Sequence, residues 1–450
     1  MSAVAPSILL LITFAGVAMV VVLIVMLRVP AFIALLLGSV VVGVAARMPP
    51  GDIPRAFQQG VGDTLGFTAM VIGLGTIIGK LLAESGGAIV VSRALIRALG
   101  ERRVDWALML SAFIVGLPVF FQVGLVLLAP VLFTLARQPA RDDLSLVRLG
   151  IPLVAALSAA HVLVPPHPGP LAAIERLGAD PGRTLFYSLL VAFPAAIVSG
   201  PLFGRFIGTR VRVDPGAMAE QLAVATAPRP PSLGVTLLTI LLPVLLMLAA
   251  ALAQAAFPDG PARQALMLAG SPLVALLIAT ILAMLTFGRA CGFDRARLLR
   301  FAEEALPPIA NVLLVVGAGG GFGRVLDAAG AAKAIAQVMG GLEFSPLVLG
   351  WVIASVLRLA VGSATVAVVT AASIMAPIAG ALPHVSRELL VVAVGAGSAI
   401  ASHVNDGGFW LVKEYLNMSV PQTVVTWTAL ETIVAIAGLA GVLLLAPIVG

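Results

Sequence analysis

Apolar residues in this chain run in blocks too long for strands and too uniform for the one-faced helices of a soluble domain. Twelve such runs stand out, at 7–27, 30–46, 61–83, 104–136, 150–178, 183–207, 233–257, 263–288, 303–327, 345–383, 388–416 and 422–448. A helix crosses the hydrocarbon of a bilayer with roughly 20 apolar residues. Lipid offers backbone polar groups no partner, so each segment must satisfy its own. The pattern therefore predicts membrane-spanning helices. The first run, Ser7–Leu27, reads as a retained span and not a signal peptide: no basic leader precedes it and a second apolar run follows at once.

Two runs are too long for one crossing. The run 104–136 is broken near its middle by Gly116 and Pro118, and 345–383 by Gly362; an interior proline removes a helical hydrogen bond and clashes with the preceding turn. Arg93, Arg97, Arg102 and Arg103 precede the first of these runs, and Arg137, Arg141 and Arg148 follow it. Under the positive-inside rule both flanks are cytoplasmic. A single crossing cannot satisfy that, whereas a re-entrant hairpin turning at Gly116–Gly124 can. The same rule puts Arg205, Arg210, Arg212 and Arg229 inside, with Arg289, Arg295, Arg297 and Arg300. The 345–383 run then becomes a hairpin entered from outside, and both termini lie outside, with Arg47 and Arg55 as exceptions.

An internal repeat agrees with this reading. GKLLAESGGA at 79–88 matches GRVLDAAGAA at 323–332, each preceded by the spacing Gly75–Gly79 or Gly319–Gly323 that lets helices approach closely. VGLP…AP (115–130) matches VGSA…AP (361–377). PPHPGPLAAIERLGADP (165–181) matches SHVNDGGFWLVKEYLNMSVP (402–421), pairing His167 with His403 and Glu175 with Glu414. Loop charges give the two copies opposite directions, the plan on which many carriers build a midplane site from broken helices. The expected fold is an all-α polytopic membrane protein of about ten transmembrane helices plus two re-entrant helical hairpins, in two inverted-topology repeats. Its parts are N-terminal scaffold helices (1–60), a first repeat (61–207; hairpin 104–136, broken helix 150–178) and a cytoplasmic loop (208–232). Connecting scaffold helices (233–302) and a second repeat (303–450; hairpin 345–383, broken helix 388–416) complete it.

Composition narrows the function classes. The chain has 450 residues, 60% apolar and 11% charged, against about a quarter charged in soluble proteins. That excludes an ordinary globular enzyme and a disordered chain. The net charge of +6 is scattered between apolar runs, whereas a nucleic-acid binder gathers its basic residues on one face. The single cysteine, Cys291, excludes an intrachain disulfide and a cysteine-built metal site. Gly317–Gly323 fails the dinucleotide spacing at Arg324, and no metalloprotease, phosphate-loop or hydrolase motif occurs. No cofactor is expected beyond a coupling ion.

The polar chemistry gathers at four breaks: Gly116–Gly124, Pro165–Pro170, Gly362–Ala367 and His403–Gly408. Helix ends offer amides with partial positive charge to an anion. Gly116, Pro118 and Gln122 lie in the first break, His167 in the second, and Gly362, Ser363 and Thr365 in the third. Asn405, Gly407 and Gly408 lie in the fourth. Arg358, four residues before Gly362, suits an anionic substrate or a pairing with Asp406 or Glu414. Ionisable residues inside a span are costly and point to function, so Asp406 is a candidate proton carrier and His403 and His167 candidate relays. Lys80, Glu84 and Asp327 lie near span ends, where pairing or snorkelling suffices. The arrangement suits a small anionic polyol. A cation/proton antiporter with Asp406 as ion site would leave Arg358 and the hydroxyls unused, and an intramembrane enzyme would need a nucleophile–base pair or metal site.

At these breaks the chain resembles the gluconate permease family of proton symporters. The likeness is carried by GLPVFFQVGLVLLAP (116–130), LSAAHVLVPPHPGP (157–170), GAGGGFGRVL (317–326), RLAVGSATVAVVTAASIMAP (358–377) and SHVNDGGFWLVKEYLNMSV (402–420). The resemblance implies proton-coupled uptake of gluconate or another small sugar or hydroxy acid across the inner membrane; relatives also take idonate, glycerate or D-serine. Through the wider ion-transporter superfamily it implies a homodimeric elevator carrier embedded in lipid. In the family pattern the position of Gln122 is usually Glu, so the proton falls here to Asp406, His403 or His167, or coupling differs.

Overall fold

The computed structural model describes residues 6–136, 145–213, 228–330, 345–381, 385–403 and 406–449, and every regular element among them is helical. Among the described residues, six helices are long and apolar enough to cross a membrane: Asp52–Ser85, Leu146–Leu177, Pro181–Gly208, Leu233–Ala256, Pro272–Cys291 and Val420–Val449. Arg295–Ala305 and Ala310–Ala328, bent by 47° across Pro307 and Pro308, make a seventh if taken as one span. Shorter apolar helices include Ala31–Ala45, Val104–Gly116, Phe121–Ala136, Pro346–Val361 and Ala364–Ala381. Leu146–Leu177 lies at the centre, with 89% of its apolar window buried by protein, whereas Val420–Val449 has only 22% so covered.

Local chemistry explains the ends. Ser145, Asp180, Ser232, Asp294 and Ser386 each accept a hydrogen bond from the backbone N–H three residues on. Such caps satisfy donors that the first helical turn leaves free. Gly86, at φ 73°, ends Asp52–Ser85 in the left-handed region that glycine adopts without penalty. Between Asp52–Ser85 and Ala310–Ala328 the backbones nearly touch: a Cβ on Gly60 would stand 2.4 Å from the Gly320 carbonyl oxygen. GAGGG at 317–321 is thus a helix contact.

All four breaks read from the sequence interrupt helices. The run 104–136 is two helices, Val104–Gly116 and Phe121–Ala136, and 345–383 is Pro346–Val361 followed by Ala364–Ala381. Leu146–Leu163 and Pro168–Leu177 are separated by 164–167, which contains a cis bond between Pro165 and Pro166. Arg387–Gly397 is followed by non-helical residues at 398–403, and the next helix is Gly407–Tyr415.

Three boundaries differ from expectation. Asp52–Ser85 starts nine residues before the run at 61, because Asp52 and Pro54 suit a first turn despite their polarity or missing N–H. The run 263–288 divides at Gly270–Ser271, where Gly270 sits against the Leu246 carbonyl and Pro272 restarts the helix. Arg295–Ala305 adds a polar helix before the run at 303, since its Asp294 cap initiates it independently of hydrophobicity.

Candidate functional site

The centre of the site is a buried ion pair built from two helix ends. Pro346–Val361 stops at Gly362, at φ 77°, whose N–H bonds to the Arg358 carbonyl. The Arg358 side chain, 3% exposed, folds back so that Nη1 donates to the Gly362 carbonyl and Nη2 to Asp406 Oδ2, each at 2.5 Å. Asp406 is the N-cap of Gly407–Tyr415, and its Oδ1 accepts from the Gly408 N–H at 2.9 Å. The Ser402 hydroxyl donates to Oδ2 as well. Ser402 is in turn held by the Trp427 Nε1–H at 2.8 Å and by the Thr428 hydroxyl on its carbonyl.

A polar cavity of about 90 Å³ opens beside this pair. Gln122 enters it from Phe121–Ala136, Ser158 and His161 from Leu146–Leu163, and Ser363 and Thr365 from the start of Ala364–Ala381. Ser363 also caps that helix by accepting from the Val366 N–H at 3.4 Å. A second space of about 340 Å³ shares Gln122, His161, Ser363 and Thr365 and reaches Asn311 and Pro168. Together they approach the few hundred Å³ of ordinary small-molecule sites. Their walls pair an amide and hydroxyls with a guanidinium, a combination that can bind a carboxylate bearing hydroxyl groups.

A second carboxylate faces the cavity. Glu431, on the last helix, is 2% exposed; Ser158 hydrogen-bonds its carboxyl, and Oε1 has no hydrogen-bond partner. A π-helical turn at Val424–Thr428 precedes it, a local widening common at functional positions.

The structure gathers Gln122, Arg358, Ser363, Thr365, Asp406 and Gly408 at one cavity, with the Gly362 carbonyl against Arg358. His167 lies behind that wall: its Nδ1 is 2.8 Å from the Val164 carbonyl and its Nε2 3.3 Å from that of Val119. Its ring stands edge-on to His161, centroids 5.1 Å apart. Pro118 joins His167 at a separate, smaller cavity, and Gly116 packs on Leu157. His403 points Nδ1 to the Ala401 carbonyl at 2.9 Å, and Gly407 is exposed with no neighbour near its missing side chain. Asn405 lies outside the described residues. Lys80 pairs with Glu84 at 2.8 Å and Glu304 at 3.0 Å, and Asp327 with Arg176 at 3.5 Å.

Reasoning from sequence missed Glu431, Ser158, His161, Ser402, Trp427 and Asn311. For Glu431 a signal existed, since TALETIVAI puts one carboxylate within an apolar run. His161, one of the chain's four histidines, gave the same signal by lying within an apolar run; for Ser158, Ser402, Trp427 and Asn311 only the packing decides the direction. Among the described residues no three His, Cys, Asp or Glu side chains lie together as a metal site would require.

Comparison with known proteins agrees over nearly the whole chain. Residues 8–448 match the sequence model described as GntP family permease. The gluconate permease of Pseudomonas aeruginosa is 49% identical over 431 residues, 94% of each chain. The high-affinity gluconate transporter of Escherichia coli is 41% identical, covering 97% of this chain and 99% of its own. Among solved structures, the YdaH transporter of Alcanivorax borkumensis superposes with a TM-score of 0.60 at 19% identity over 89% of each chain, a likeness of fold.

Proposed function

This chain belongs to the GntP family of permeases, and from that premise we propose that it imports gluconate or a closely related small hydroxy acid across the bacterial inner membrane, in symport with protons. It is a transporter, not an enzyme. The observation that carries the substrate class is the polar cavity beside Arg358 and Asp406. Arg358 keeps its buried Nε without a hydrogen-bond partner while Nη1 and Nη2 make one bond each, so part of the five-donor guanidinium fork is left for a substrate carboxylate. Gln122, Ser363, Thr365 and Asn311 suit the hydroxyls of a polyol chain.

Our architectural reading is two inverted repeats, each with a re-entrant hairpin, working as a homodimeric elevator carrier. Matching details support it. Gly86 and Gly330, paired in the repeat, both take positive φ, at 73° and 90°. Gly79 faces Val119 within the first hairpin, and Gly323 faces Arg176 and, within the second hairpin, Ser373. Each repeat also ends its broken helix in a short segment after the break, Pro168–Leu177 and Gly407–Tyr415.

The test is uptake into proteoliposomes. Under an inward proton gradient, radiolabelled gluconate is expected to accumulate, and a protonophore to release it. Unlabelled idonate, glycerate and D-serine, added as competitors, rank the substrates. No uptake of any of these acids under any gradient would sink the importer reading.

A further inference from the structure

The sequence-derived proton candidates are heavily engaged. Asp406 binds Arg358, Ser402 and the Gly408 amide. His167 has a carbonyl on each ring nitrogen. His403 holds a local carbonyl and does not line the cavity. Glu431 combines what none of these three does: it lines the cavity, is buried, and keeps Oε1 without a partner. It lies 11 residues into the span Val420–Val449, about 16 Å along a helix roughly 45 Å long, and so within the hydrocarbon depth.

Resting on the proton-coupled reading above, we propose that Glu431 carries the coupling proton, taking it up as the anionic substrate binds and giving it up as the substrate leaves. The charge balance requires a step of this kind. Arg358 and Asp406 cancel, so an ionised Glu431 gives the site a net charge of −1 before the substrate arrives. A second negative charge in a low-dielectric site is strongly opposed. Protonation forms an O–H bond on the carboxylate, with the proton drawn from the aqueous side open to the site. The loaded site then carries only the substrate's charge. On the other side the substrate departs, the O–H bond breaks and the proton leaves to water. One proton accompanies one monoanion, and the cycle is electroneutral.

The neighbours of Glu431 are compatible with this assignment. Ser158 faces it from Leu146–Leu163, Arg358 from Pro346–Val361, and Asp406 from the start of Gly407–Tyr415, while His161 lines the same cavity. Other titratable groups on the helices packed against it sit elsewhere. Arg148 lies against Gly208, Arg183 at the Asp180 cap, Tyr187 beside Phe186, and Arg387 and Glu388 beside 178–180. His161 Nδ1 is buried without a hydrogen-bond partner on the same wall.

The experiment uses the full chain in detergent and in proteoliposomes, with gluconate as probe. Wild-type affinity is expected to fall about tenfold per pH unit on the alkaline side, the slope of one linked proton. Calorimetry in buffers of different ionisation enthalpy should find one proton taken up per gluconate bound there. Glu431→Gln should bind with no pH slope, take up no proton, and exchange gluconate without accumulating it under a proton gradient. Glu431→Asp, which keeps a titratable carboxyl, should retain a slope displaced along the pH axis. Concentrative uptake by Glu431→Gln, a wild-type slope in it, or zero proton uptake by wild type overturns the assignment. If Glu431→Gln does not fold, a Glu431→Asp slope identical in position to wild type overturns it equally. Absence of gluconate exchange in wild type is a separate failure, that of the transport reading itself.

Discussion

Arg358 and Asp406 are a buried pair whose value depends on both members being present. The two side chains are 3% and 14% exposed, so little water remains to screen either charge. Removing one partner of such a pair costs on the order of 3–5 kcal/mol, because the other is left unpaired in a poorly polarisable site. Asp406→Asn should therefore lower the thermal midpoint of the purified protein by several degrees and abolish uptake. Replacing both, Arg358→Leu with Asp406→Leu, should recover much of the midpoint while uptake stays absent. A thermal-denaturation series on the two variants checks this, and equal destabilisation of both would mean that packing, not charge, holds the region. The residues of the pair were legible in sequence because arginine and aspartate are conspicuous inside apolar runs. Glu431 was equally conspicuous in kind, a single carboxylate well inside the last apolar run, but no glycine or proline break marks its position there. Ser402 and Trp427 were not legible. Their roles come from the packing of the π-helical turn 424–428 back onto the 402–406 break, and small hydroxyls occur on every helix face.

Helices here end where glycine, proline or a polar cap makes ending cheap, and they meet where side chains are absent. Gly395 shows the second rule. A Cβ there would stand 2.4 Å from the Val162 carbonyl oxygen, and Val162 itself lines the polar cavity. Gly395→Ala forces Arg387–Gly397 away from the central helix, at a cost of about 1–3 kcal/mol by overpacking. A lower thermal midpoint and reduced uptake are expected. Gly66→Ala is the comparison: no atom lies within 4 Å of its added carbon, so the helix should keep or slightly raise its stability. A Gly395→Ala protein as stable as Gly66→Ala would show that the two helices are free to separate. The four breaks were readable because glycine and proline act locally. The division at Gly270, the kink at Pro307–Pro308 and the early start at Asp52 were less so, since a continuous hydropathy pattern does not record where tertiary packing bends a helix.

Few of the molecule's charges lie at membrane depth, and those outside the spans orient the whole. Arg205, Arg210 and Arg212 end the span Pro181–Gly208 and belong to the arginine groups read as cytoplasmic. Gln422 donates through Nε2 to the Arg212 carbonyl at 3.4 Å, so the last span begins on the same side of the protein. Val420–Val449 has 30 residues, about 45 Å as a helix, enough to traverse the hydrocarbon completely. Under the positive-inside rule the far end of this span is expected opposite the Arg212 side, away from the cytoplasm. Alkaline phosphatase fused after the last span is then expected to be active in cells, and green fluorescent protein fused there to be dark. Fusions placed in the 208–232 loop should give the reverse pair. Bright fluorescence at the end of the chain, with phosphatase activity in the loop, would invert the orientation. The cavity would stand unchanged, but the proton on Glu431 would then travel with substrate between surfaces whose identities are exchanged.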